Sequence, residues 1–140
     1  IDAHYATDPS RESTFAMGSS MGGLISVYAV CEYPQVFGGA AAMSTHWIGT
    51  GERNDDVPDA AVAYLRETLP KPDTLKLYMD RGTIDLDGWY DQSQPKIDAL
   101  MAERGFAPPG FVTRVFDGAG HNENDWNRRL DAPLLFLLGK

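Results

Sequence analysis

Along this chain, short apolar runs alternate with longer stretches in which apolar residues recur every three or four positions. Residues 13–17 (STFAM) read as a short buried strand ended by Gly18, and from Gly22 an apolar helix runs until Tyr33-Pro34 terminates it. Residues 37–43 form a second strand of small apolar residues, suited to close packing by helices on both faces, and its end delivers His46 and Trp47. After a polar loop over 49–56, Pro58 at the first helical position opens a helix through Leu69, which Pro70 and Pro72 stop. Residues 75–80 alternate with period two and give a third strand, with Gly82 marking a sharp change of direction.

From Trp89 to Arg104 the apolar Tyr90, Ile97, Leu100 and Met101 suit a one-faced helix closed by Gly105. Residues 111–116 are the fourth strand, and the loop Asp117-Gly118-Ala119-Gly120-His121 leads into a last helix that begins near Glu123 and breaks at Pro133. The apolar run 134–138 is a helix face to be docked on a sheet, while 1–5 read as a helix tail joined through a polar connector over 7–11. Strand and helix therefore alternate throughout, with crossovers long enough for parallel pairing. The expectation is a three-layer α/β sheet of about four parallel strands, residues 1–140 forming one partial domain whose ligands bind at the carboxyl ends of the strands.

Composition narrows the partners. With 12 basic and 20 acidic side chains the net charge is −8, so no cluster of Lys or Arg could displace the counterions of a phosphate backbone, and nucleic acid is not expected as a partner. No stretch approaches the roughly 18 apolar residues a membrane span needs. The single cysteine, Cys31, cannot close an intrachain disulfide and reads as a small core residue. No Cys pair, His-Glu-x-x-His or EF-hand spacing suggests a metal, and Gly18 to Gly23 lacks the Lys-Ser or Lys-Thr of a phosphate loop. Position 1 is Ile rather than Met, so a natural N-terminus is expected to have been removed or to lie on another segment.

Gly18-Ser19-Ser20-Met21-Gly22 matches G-x-S-x-G and sits between a strand and a helix, where that motif has mechanical meaning. The glycines leave no Cβ to collide across so sharp a turn, Ser20 is held out at the strand end, and the Met21 N–H at the helix start can stabilise an oxyanion. A serine hydroxyl is a weak nucleophile, so a base and a group to orient the base are required. His121 follows the fourth strand in a glycine-flanked loop, and Asp85 follows the third strand in Asp80-Arg81-Gly82-Thr83-Ile84-Asp85. The chain order Ser, Asp, His is that of α/β hydrolases.

Three segments, 15–23 (FAMGSSMGG), Asp80-x-Gly-x-x-Asp85 and Gly120-His121-Asn122-Glu123-x-x-Trp126, resemble the putative-esterase family of α/β hydrolases. That family includes enterochelin esterases, S-formylglutathione hydrolase, feruloyl and acetylxylan esterases, and mycolyltransferases. The resemblance implies the α/β-hydrolase fold and a serine ester hydrolase acting through an acyl-enzyme, with Ser20 as nucleophile, Asp85 as acid, His121 as base and Met21 as an oxyanion-hole donor. A small-molecule or sugar-linked ester would be the substrate, and no cofactor is needed. It matches only the later half of the family domain, since members carry further strands and a second oxyanion donor before the nucleophile. A sheet cut beside its nucleophile strand exposes an unpaired edge and apolar helix faces, so a complementary N-terminal segment is expected to complete the sheet. Activity is expected of the completed domain rather than of these 140 residues alone.

Other assignments compete. Asp80 could end its strand and cap the turn, and Asp87 could start the next helix, whereas Asp85 best fits the post-strand position of the acid. His46 is a second imidazole at a strand end. Trp47, His46 and Trp89 are candidates to line an acyl or aromatic pocket, against buried packing for both tryptophans. Trp126 reads as helix packing, Arg81 as a surface ion pair, and Glu123 as a residue favouring its helix start. The same site with an alcohol acceptor in place of water would be an acyltransferase, and a noncatalytic module that kept the elbow is the reading from another class.

Overall fold

The computed structural model describes residues 1–139. Its strands are β1 (Phe15–Ser19), β2 (Gly39–Met43), β3 (Lys76–Arg81) and β4 (Phe111–Val115), and its α-helices are α1 (Met21–Glu32), α2 (Asp56–Thr68), α3 (Tyr90–Glu103), α4 (Glu123–Arg128) and α5 (Asp131–Leu138). All four strands are parallel and lie in the order β1-β2-β3-β4. Right-handed crossovers that always step in one direction deliver their helices to one face of the sheet. α1, α2 and α3 accordingly pack on the face presented by Ala40, Ala42, Leu77 and Met79, where Val27, Val30, Leu65, Ile97, Leu100 and Met101 complete the main core.

The opposite face carries Ala41 and Tyr78, and it is covered by α5 through Leu137 and Phe136. The apolar run 134–138 therefore docks on the sheet as its pattern implies. Its helix begins ahead of Pro133, which sits in the first turn of α5, where a missing N–H costs nothing. The interruption falls at residues 129–130, not at the proline. Cys31 is buried, and burial pushes its thiol up from the ordinary value.

Cover thins toward β1. Among the described residues β1 pairs only with β2, and Met17, which shares the α5 face with its register partner Ala41, is 39% exposed. Along α1, Met21 and Ile25 are each 60% exposed and Tyr28 is 44% exposed. A helix apolar all round is one built to be enclosed. Here its outer side and the β1 edge are open together.

Candidate active site

The strand-to-helix turn after β1 holds Ser20 at φ 57° and ψ −120°, a backbone region that non-glycine residues enter only under constraint. That constraint is visible: the Ser20 N–H donates to the Met43 carbonyl at 2.9 Å, and the Ser20 carbonyl accepts from the Gly23 amide at 3.0 Å. Gly18 is required, because a Cβ there would lie 2.6 Å from the Gly22 backbone. Gly22 itself faces open space, so crowding explains only one of the two motif glycines. Gly23 allows α1 to approach the end of β2, since its Cβ would meet Thr45 Oγ1 at 2.7 Å.

His121 leaves the loop after β4 and places Nε2 at 2.9 Å from Ser20 Oγ, while its Nδ1 lies 2.6 Å from Asp87 Oδ1. Asp87 is fully buried, and burial alone would raise its carboxyl. Hydrogen bonds from His121, Ser44 and the Gly82 amide outweigh that and hold it below the ordinary carboxylate value. An ionised carboxylate only accepts, so Nδ1 of His121 carries the proton and Nε2 is the acceptor for the Ser20 hydroxyl. The three groups form one directed chain of hydrogen bonds across the carboxyl ends of β1, β3 and β4.

The carboxylate partner is thus Asp87 and not Asp85. Both belong to a 3₁₀ turn over Asp85–Trp89, in which each residue advances about 120°. Asp85 opens that turn at φ 53° with its side chain exposed and a carboxylate oxygen close to Gly120, whereas the turn carries Asp87 inward. The β3 exit and the base loop are laced together: the amides of Thr83 and Ile84 both donate to the Ala119 carbonyl, at 2.9 and 3.2 Å. Gly82 permits this approach, since a Cβ there would overlap the Ala119 carbonyl oxygen.

The imidazole of His121 stands among rings. Trp126 packs edge-on with centroids 5.0 Å apart, Tyr90 lies at 5.8 Å and His46 at 6.5 Å. His46 Nδ1 pairs with the Tyr90 hydroxyl at 2.8 Å, and burial, then the neighbouring His121, lowers its pKa below the ordinary value. His46 therefore borders the site but does not touch Ser20 through its ring in place of His121. Trp47 does not line the site: it is 2% exposed, belongs to the main core and donates to Gln94 Oε1 at 2.9 Å. It follows β2 by four residues and lines an apolar cavity with Leu24, Val27 and Tyr28 of α1 and Ala61, Tyr64 and Leu65 of α2. Trp89 closes the 3₁₀ turn and is half-buried. Met21 is the first residue of α1, a position whose amide has no partner within the helix.

Among the described residues Arg81 forms no ion pair; its Nη1 donates to the Gly82 carbonyl. Glu123 opens α4 behind an Asn122 cap, whose side chain accepts from the Asp125 amide at 3.1 Å. Trp126 is more than helix packing, because its Nε1 donates to Ser44 Oγ at 3.0 Å. Ser44, Tyr90 and Arg129 were not readable as site residues: each sits in a sequence context typical of a strand end, a helix start or a helix end. Only the left-handed backbone of Ser44, invisible in sequence, sets it apart. Among the described residues no cluster of His, Cys, Asp or Glu could hold a metal ion.

A family model described as Putative esterase matches residues 1–137. Uncharacterized protein YbbA of Bacillus subtilis (strain 168) is 24% identical over 149 residues, covering all of this chain and 55% of that protein. The enterochelin esterase of Shigella flexneri superimposes with a TM-score of 0.75 at 19% identity, over 97% of this chain and 33% of that one. S-formylglutathione hydrolase of Staphylococcus aureus gives 0.66 at 14% identity, over 97% of this chain and 55% of that one. At these identities the structural likeness shows an α/β-hydrolase fold. The chain spans about half the length of the curated relative it matches and a third to a half of these solved structures.

Proposed function

We propose that this chain, which belongs to the Putative esterase family, carries the reacting groups of a serine carboxylic-ester hydrolase. The observation that supports the reading is the unbroken series Ser20 Oγ, His121 Nε2, His121 Nδ1, Asp87 Oδ1, with links of 2.9 and 2.6 Å, assembled at the strand ends from three separate loops. His121 Nε2 takes the Ser20 proton as Oγ attacks the ester carbonyl carbon. The carbonyl oxygen becomes an oxyanion facing the Met21 N–H at the start of α1. The tetrahedral intermediate collapses, the C–O bond to the alcohol breaks, and His121 returns the proton to the leaving oxygen. Water then enters by the same route, losing its proton to His121 as it attacks the acyl carbon, and the C–Oγ bond breaks as His121 returns that proton to Ser20 and the acid is released.

Asp87, not Asp85, takes the role of the acid. Anchored by three donors, it keeps His121 in the Nδ1–H tautomer and stabilises the imidazolium that forms in each step. His46 and Trp89 remain the proposed pocket walls; Trp47 does not. The relatives' own ligands, such as the 2,3-dihydroxy-N-benzoyl-glycine present with an enterobactin esterase of Shigella flexneri, make aromatic acyl or siderophore esters the first substrates to try.

Steady-state hydrolysis of p-nitrophenyl acetate by the full-length protein tests the reading. Ser20→Ala is expected to lower kcat by at least about 10³-fold while leaving the melting temperature unchanged. Turnover retained by that variant would overturn the proposal.

A further inference from the structure

Behind the Ser20 chain lies a second, largely buried set of polar groups that the reaction as written does not use. Ser44 follows β2 with φ 44°, and its N–H donates to the Asp80 carbonyl at 2.8 Å. Its hydroxyl touches three side chains: Asp87 Oδ2 at 2.5 Å, Arg129 Nη2 at 2.7 Å and Trp126 Nε1 at 3.0 Å. Indole and guanidinium groups can only donate. They occupy the two lone pairs of the oxygen, so its single proton has one acceptor left, Asp87. The direction of that bond is fixed by valence.

The same guanidinium sits 3.2 Å from Asp80 Oδ1 and 3.6 Å from Asp87 Oδ2, and the Tyr78 hydroxyl donates to the other Asp80 oxygen at 2.9 Å. Two carboxyl groups thus face one guanidinium, and burial pushes the Asp80 carboxyl up from its ordinary value. Trp126 and Arg129 both come from the segment that follows the base loop, whereas Ser44 comes from β2. Through Ser44 the element that carries His121 also braces the acid on which His121 leans.

We propose that Ser44 is a positioning residue for the acyl-transfer reaction, its hydroxyl held from behind by Trp126 and Arg129 so that it aims the Asp87 carboxylate at His121. The proposal rests on the assignment of Ser20, His121 and Asp87 made above. Loss of the hydroxyl leaves Asp87 one donor short, and the carboxylate then turns on its two remaining bonds. The groups facing this pair are His46 and Tyr90 beside His121, and Arg129, Asp80 and Tyr90 around Asp87. A carboxylate with fewer donors binds a proton more readily, and the acid limb of the pH profile reads that change.

The test uses the full-length protein with p-nitrophenyl acetate as substrate, every rate being divided by the number of sites titrated with a fluorophosphonate. For Ser44→Ala, kcat per titrated site should fall about 10- to 100-fold with KM within about twofold, the loss expected for one hydrogen bond to a charged group. The acid limb of the pH profile should move up by about half a unit. Ser44→Cys, which keeps the volume and a weak donor, should fall between wild type and Ser44→Ala, and it carries the same two readings if Ser44→Ala does not fold. Fewer titratable sites with an unchanged rate per site and an unmoved acid limb would make Ser44 purely structural and overturn the proposal. Wild-type turnover that survives Ser20→Ala would instead overturn the underlying assignment, and this proposal with it.

Discussion

Two aspartates share one 3₁₀ turn, and only the inward one, Asp87, reaches the imidazole. The account therefore separates them sharply. Asp87→Asn should lower kcat by roughly 10³- to 10⁴-fold, because an amide can present its N–H to Nδ1 and favour the wrong tautomer, while Asp85→Asn should stay within a few-fold. Kinetics of the two variants side by side check it, and equal losses would contradict it. His46 gives a second residue-level prediction: its imidazole should titrate below the ordinary histidine value of 6.5, because burial and then His121 disfavour its charge. The sign for stability follows, since the unfolded chain binds a proton at His46 that the native site resists, so this residue makes the fold weaker as pH falls through that range. An NMR titration of the histidine ring protons measures it. Ser20, Met21 and His121 were legible as candidates because motif, strand-helix context and chain order constrain them jointly. Asp87 does not stand out ahead of Asp85 in the sequence, which does not show that the segment after β3 winds as a 3₁₀ turn rather than running on as an extended loop.

At the scale of elements, the site depends on how closely the β3 exit approaches the base loop. Gly82 lies where any Cβ would strike the Ala119 carbonyl, and its amide also holds Asp87 Oδ2. Gly82→Ala should push the loops apart and lower kcat by at least about tenfold, with a loss of roughly 1–3 kcal/mol in stability from overpacking. Gly22→Ala should be mild by comparison, since its Cβ meets no atom within 4 Å. Thermal melts with parallel ester-hydrolysis rates distinguish them. The strands and crossover helices were readable from periodicity to within about two residues. The tryptophans were not, because a ring that follows a strand end can turn to the site or to the core with the same local sequence. Trp47 turns inward to Gln94, and Trp126 turns to Ser44.

At the scale of the whole molecule, among the described residues the one-directional strand order puts α1, α2 and α3 on one face and leaves β1 open at its edge, with Met21, Ile25 and Tyr28 of α1 exposed on that face and Met17 on the other. An unpaired strand edge beside an apolar surface invites association. The prediction at this scale is that the 140 residues alone self-associate and bind an apolar dye, whereas a longer chain in which a further strand pairs with β1 and covers α1 does neither. Light scattering and dye fluorescence on the two proteins check this. The central claim, an activated Ser20, is tested most directly by fluorophosphonate labelling of the full-length protein with the modified peptide identified by mass spectrometry. The account predicts one adduct, on Ser20, absent in Ser20→Ala; no adduct, or one that persists in Ser20→Ala, would contradict it.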